Sequence, residues 1–321
     1  MRSSVVAFLI LVASAAVGCG GSDTSTPDSA AAEGNGSAPG DTGSPPVEQI
    51  FDREFLFAGA APDSLVHIPW FFQARVRPDG VRREIHAWLA REGGWEALAH
   101  EESGGPFARA PWRILPGEHV RLTVGEGDRI DAIRLRDPGR EVETRIGEFI
   151  TDWTRPGSDP ARLFAGEALF PSGRVRGFVL EVNRRWESPG EAPGDWVFLH
   201  GGGLFQLFLE ELAPLGNPRS PGNYRGWSRI AFQNALWNEI EVSWEEFRPF
   251  EPARRDIPHA WVLNTEGGEV TGLLQAVSSH LTAGEGASPI LPLSGFFEVQ
   301  GEVTVRGEIF SVNGVVRHRQ Y

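Results

Sequence analysis

The stretch WVFLHGGGLFQ (196–206) sets His-Gly-Gly-Gly behind an apolar run. Backbone N–H groups in such a loop can stabilise the oxyanion of an acyl transfer, provided a nucleophilic serine stands on a Gly-x-Ser-x-Gly turn downstream. The nearest match, Gly226-Trp227-Ser228-Arg229-Ile230, lacks the final glycine. The 27 residues between His200 and Ser228 include Pro214, Pro218 and Pro221. That is too little chain for the two crossovers and two strands the chemistry would need. The triple glycine is therefore expected to reverse the chain between two neighbouring strands, "DWVFLH" and "LFQLFLEE", where glycine accepts positive φ at little steric cost.

Other reactive residues make no site by spacing. In WNEIEVSWEEF (237–247), strand alternation places Glu239, Glu241 and Glu245 opposite Ile240, Val242 and Trp244, the pattern of a solvated strand face. The eight histidines are scattered without metal-site spacing, and GEGDRI and GEGASP are glycine-bearing turns, not phosphate loops. Neither a metal nor a cofactor is expected. Eleven Trp against two Tyr suit large core fillers or ligand-facing walls.

The elements that must position any site are short β-branched and aromatic runs broken by Gly, Pro and Asp. "WFFQARVRPDGVRREIHAWLA" (70–90) reads as a hairpin turning on Pro78-Asp79-Gly80. Further strands are expected at 119–124, 129–136, 142–149, 174–183, 195–200, 228–235, 238–247, 259–265, 269–281, 296–305 and 308–318. LFQLFLEEL (204–212) fits either a strand or a helical period, and no segment shows sustained helical periodicity with caps. The fold class is all-β. GEALFPSGRVRGFVLEVNRRW (166–186) and GEVTVRGEIFSVNGVVRHRQY (301–321) echo each other in order of strands and glycines. If each closes a domain, the domains are 51–187 and 188–321.

Before these lies MRSSVVAFLILVASAAVGC (1–19), one positive charge and an apolar run too short to span a bilayer. Its end resembles a bacterial lipobox, with Ala16 where Leu is usual, and implies lipidation of Cys19, the one cysteine. Residues 20–50 lack the aromatic content to fold before Phe51 and read as a tether. The expected location is the bacterial cell envelope, with the membrane as a partner through Cys19. Loss of Arg2 with the signal leaves 29 Arg against 43 acids, a charge of −14 that disfavours nucleic acid.

GFVLEVNRRWESPGEAPGDWVFLHGGGLFQLFLEEL (177–212), RRDIPHAWVL (254–263), the C-terminal GFFEVQGEVTVRGEIFSVNGVVRHRQY (295–321) and, more faintly, HIPWFF (67–72) resemble the aromatic and glycine motifs of the lipocalin-like carotenoid 1,2-hydratase (hydroxyneurosporene synthase) superfamily. The resemblance implies two tandem lipocalin-like β-barrel or sandwich domains. It places Asn183, Arg185, Trp186, Trp196, His259 and Trp261 at ligand-facing positions. With Trp186 aligned to the motif's last Trp, Asn183 and Arg185 stand where the family has Asp and Glu, and neither can serve as a carboxylic acid. Glu181, on their face by alternation, is the candidate acid if catalysis remains. The expected function is binding of a hydrophobic or amphipathic small molecule in a barrel cavity or domain joint. The alternatives are a hydratase or lyase acting on an isoprenoid-like substrate, and a carbohydrate-binding β-sandwich with exposed Trp.

Overall fold

The structure, a computed structural model, describes residues 47–61, 64–106, 110–137, 139–188, 192–212, 222–286 and 288–321. Cys19 and residues 20–46 of the expected tether lie outside the described residues. The first sheet comprises β1 (Glu48–Ala61), β2 (Ser64–Arg77), β3 (Gly80–Arg91), β4 (Gly94–Gly105), β5 (Val120–Val124), β6 (Ile130–Asp137), β7 (Arg140–Trp153), β8 (Ala161–Phe170) and β9 (Gly173–Ser188). Its spatial order is β4-β3-β2-β1-β9-β8-β7-β6-β5. The second comprises β10 (Trp196–Gly201), β11 (Phe205–Glu211), β12 (Gly222–Ile230), β13 (Gln233–Phe250), β14 (Arg255–Asn264), β15 (Val270–Ala283), β16 (Leu293–Val305) and β17 (Glu308–Gln320), closed in chain order into a barrel. This is a two-domain, lipocalin-like all-β fold.

Alternation decides which side chains each sheet encloses. On β1, Phe55 and Phe57 join Trp70, Ile85, Val120, Ile133, Val142 and Val179 in one core, so the first sheet curls around residues from both of its ends. No ladder joins its edge strands β4 and β5. Glu101 on β4 bridges them instead, its carboxylate accepting from the N–H groups of Glu118, His119 (2.9 Å) and Val120 (3.1 Å). The barrel encloses Phe205, Leu207, Trp261, Phe297, Val299 and Val316 among others. Phe205 stacks on Phe310 at 4.3 Å, and Trp261 meets Phe297 edge-on at 5.1 Å. Eight strands enclose a space that side chains alone can fill.

The two echoing segments lie on corresponding hairpins. β8–β9 returns to pair with the first strand, β1, and β16–β17 returns to pair with β10. In each a glycine is needed because the neighbouring backbone leaves no room for a side chain: a Cβ at Gly177 would lie 2.1 Å from the Ala58 carbonyl oxygen, and one at Gly314 would lie 1.9 Å from that of Phe198.

The outer faces of the two sheets pack on each other through a third core. Leu56, Ala58, Trp153, Leu163, Leu180 and Val182 meet Trp196, Phe198, Phe208, Trp227, Phe296 and Val315. At the triple glycine β10 ends at Gly201, Gly202 takes φ 60°, and β11 begins at Phe205, so residues 204–212 follow the strand period. The expected strand 228–235 is instead a turn between two strands. Ile230 pairs with Gln233, and Ala231 sits at φ 54° in a turn without Gly, Pro or Asp to mark it. Strands β1 and β4 were not expected from the pattern, nor was β12 before Ser228, and of β8 only the end next to the Gly173 turn was read as a strand.

Candidate functional site in the joint between the sheets

The residues singled out from the sequence fall in three places. Glu181, Asn183 and Arg185 lie on the side of β9 that Val179 turns to the first sheet's interior, Glu181 buried, Asn183 half-buried and Arg185 exposed. There Glu181 is paired with Arg53 (2.7 Å) and lies 3.7 Å from Arg162, while Arg185 covers Phe51 at 5.4 Å. Phe51 and Arg53 also border a recess of about 390 Å³, open solvent included, together with Phe72, Arg83 and Trp112. His259 and Trp261 belong to the barrel interior, where the His259 Nδ1 is buried without a partner. Trp186 and Trp196 lie in the joint, their indole N–H groups donating to Asp52 (3.3 Å) and Glu54 (2.7 Å).

The joint also gathers residues the motifs do not mark. Arg184, between Asn183 and Arg185, takes the opposite face of β9 and points at the barrel with Val182 and Trp186. Around it opens a cleft with about 750 Å³ free of protein atoms, open solvent included. Among the described residues it is lined by Arg155, Arg184, Arg185, Trp186, Glu210, Glu211, Leu212, Arg225 and Trp227, with Pro156, Pro193 and neighbours. Trp227 ends an aromatic stack: it lies on Phe208 at 5.6 Å, which lies on Trp153 at 5.9 Å. Arg155 grips Glu210 through two bonds, one of 2.7 Å from Nε, and its Nη1 donates to the carbonyls of Asp159 (2.9 Å) and Asn183 (2.8 Å). Strand alternation and the run Asn183-Arg184-Arg185-Trp186 were enough to place Arg184 beside Trp186. Arg155, Arg225 and Trp227 come from elements far apart in sequence and carried no such signal.

Behind the cleft a buried ionic cluster ties the sheets together. Arg319 reaches Glu54 (3.1 Å) and Asp52 (3.4 Å). Burial pushes the Glu54 carboxyl up, but Arg184, Arg319, Arg317 and the Trp196 indole outweigh it and hold it below the usual carboxylate range. Burial, reinforced by Arg319, pushes Arg317 down to about 10. Arg317 lies over the Phe296 ring at 4.7 Å.

Farther along the joint, His67 on β2 and Glu298 on β16 form a buried imidazole–carboxylate pair, Nδ1 to Oε1 3.1 Å. Ser278 donates to the other Glu298 oxygen (2.9 Å) and accepts from the Trp95 indole (2.9 Å). Burial raises the Glu298 pKa, but the hydrogen bonds with His67 and Ser278 and the field of His67 bring it below its ordinary value. The His67 ring lies 6.3 Å from that of His200, and Nε2 of each is buried without a partner. Burial, then the field of His67, pushes His200 down to about 4, so it is neutral at neutral pH. The paired carboxylate orients the His67 imidazole, an arrangement able to move a proton at Nε2. No group of three or more His, Cys, Asp or Glu among the described residues could hold a metal ion.

No protein-family model matches the chain, and no curated protein matches it in sequence. Solved structures match it in fold. The kievitone hydratase of Nectria haematococca superposes with a TM-score of 0.52 at 11% identity, over 85% of this chain and 88% of the hydratase. A candidate ATTH from Nitrosomonas europaea gives 0.54 at 12% identity, over 85% of this chain and 92% of that one. At such identities the likeness is one of fold, and the chain shares the two-part all-β architecture of these two proteins.

Proposed function

We propose that the protein binds an amphipathic small molecule in the joint between its two sheets. The observation that carries this reading is the cleft beside Arg184. It joins apolar walls, Trp186, Trp227 and Leu212, to a polar floor, and it opens to solvent where two domains meet, a usual place for ligand sites. The barrel interior, by contrast, is occupied by aromatic and aliphatic side chains. Native mass spectrometry of protein purified gently from the cells that make it is expected to show a co-purifying amphipathic molecule. Leu212→Glu, at an exposed wall of the cleft, should lose that molecule while keeping the circular dichroism of the parent. Spectra without any adduct from repeated preparations would count against the reading.

A second reading, acid–base chemistry on the bound molecule, is favoured by the His67–Glu298 pair. Fold neighbours include a protein named as a hydratase. Addition of water to a double bond places a proton on one carbon and hydroxide on the other; His67 is fully buried and is not among the cleft-lining residues, so what supports this reading is its chemistry, an imidazole oriented by Glu298 with Nε2 unpartnered. Under this reading the co-purifying molecule is recovered in two forms differing by one water, and in His67→Gln in one form only. An unchanged pair of masses in the variant would exclude His67.

A further inference from the structure

Building on the reading that the joint holds an amphipathic molecule, we infer that its head group is an anion, a phosphate monoester or a carboxylate, seated on the side-on edge of Arg184 with Arg225 beside it. A guanidinium offers Nε–H and one Nη group along a single edge, in a geometry matched to two oxygens of a carboxylate or phosphate. Arg155 uses that edge on Glu210. Arg184, with its side chain only 3% exposed, gives Nη1 to the Gly194 carbonyl (2.8 Å), while Nε and Nη2, the same edge, have no hydrogen-bond partner. Glu210 stands 3.7 Å from that Nε, an ion-pair distance but not a hydrogen bond. The buried Nε of Arg225, on the facing wall, is likewise without a partner.

Two arginines that line one open cleft thus carry three buried donors without a partner, and buried donors of this kind are normally satisfied. The lining carries the charges of three arginines, Arg155, Arg184 and Arg225, against Glu210 and Glu211, while Arg185 borders it with its guanidinium turned to Phe51 on the other face. It is a cationic spot on a chain whose formal charge is −13, so it focuses the field on an incoming anion. A hydroxyl head supplies one acceptor oxygen and no charge, and a cationic head is repelled. Trp186 and Trp227 are placed to cover the apolar part next to the head group.

The test is calorimetric titration of the full chain with dodecyl phosphate, dodecanoate, dodecanol and inorganic phosphate, each below its micelle threshold. The two amphipathic anions are expected to bind at least 30-fold more tightly than dodecanol. Arg225→Gln, at the rim, and Arg184→Gln should each weaken the anions by 10-fold or more and leave dodecanol unchanged. Inorganic phosphate is expected to bind at least 30-fold more weakly than dodecyl phosphate; equal affinity would make this a free-anion site and overturn the amphipathic assignment. Equal binding of dodecanol and the two anions would overturn the anionic head group yet leave the joint as a binding site. No binding of any of the four would count against the joint itself. Because Arg184 also borders Glu54, the Arg225 variant decides the matter if Arg184→Gln folds poorly.

Discussion

His200 illustrates how a residue's meaning changes between sequence and structure. With the glycines after it, it has the form of an anion-binding loop, yet it is only 5% exposed, its ring packed at an angle against those of Phe178, Phe198 and His67. Its folded pKa, about 4, lies below the ordinary 6.5. Between those values the unfolded chain binds a proton that the folded chain refuses, so stability is full above pH 6.5 and falls as pH drops toward 4. The loss amounts to about 3 kcal/mol, at 1.36 kcal/mol per pKa unit. Denaturant titrations from pH 7 to 4 should show a steeper acid loss for the parent than for His200→Gln, by that amount. Parallel curves would show that burial of His200 does not set its titration. At this scale the sequence was only partly legible. Glu181 was visible as a candidate acid by alternation, but not its pairing with Arg53, which is 128 residues distant. His67 and Glu298 are 231 residues apart and meet only because two sheets pack face to face.

For the elements, the strands most legible from sequence are those with clear turn chemistry. β2 ends at Arg77 and β3 begins at Gly80, around the Pro78-Asp79 turn, and the glycine reversal after His200 joins β10 to β11. The unmarked turn at Ala231-Phe232 was not legible, because a positive φ on alanine leaves no compositional trace. The echo between the two halves was legible through its glycines, and the structure supplies the physical reason. At Gly314 a Cβ would lie 1.9 Å from the Phe198 carbonyl oxygen, on the β10–β17 pairing that closes the barrel. Gly314→Ala should therefore destabilise the fold by about 1–3 kcal/mol, the usual range for an overpacked site. Gly203→Ala, where a Cβ meets nothing within 4 Å, should stay within about 0.5 kcal/mol. Urea midpoints of the two variants compare these directly. Equal midpoints would mean the strand approach at Gly314 is not tight.

On the scale of the whole molecule, each sheet makes a core of its own and the two share a third between them. The fold class was legible because alternation and turns repeat along the chain, whereas the joint was not, since it depends on which outer faces meet. Ions there, Glu54 and Asp52 buried with Arg319, and the half-buried Glu210 with buried Arg155, are costly to bring out of water and fix how the sheets seat on each other. That seating lines up Arg184 and Trp186 from one sheet with Arg225 and Trp227 from the other. Hydrogen–deuterium exchange with and without saturating dodecyl phosphate tests the central claim most directly. The account predicts slower exchange at Arg155–Ser158, at Arg184–Trp186 and at Arg225–Trp227, with the barrel-interior strands β14 and β16 unchanged. Protection centred on Trp261 and Val299 inside the barrel, with none along β9 and β12, would contradict it.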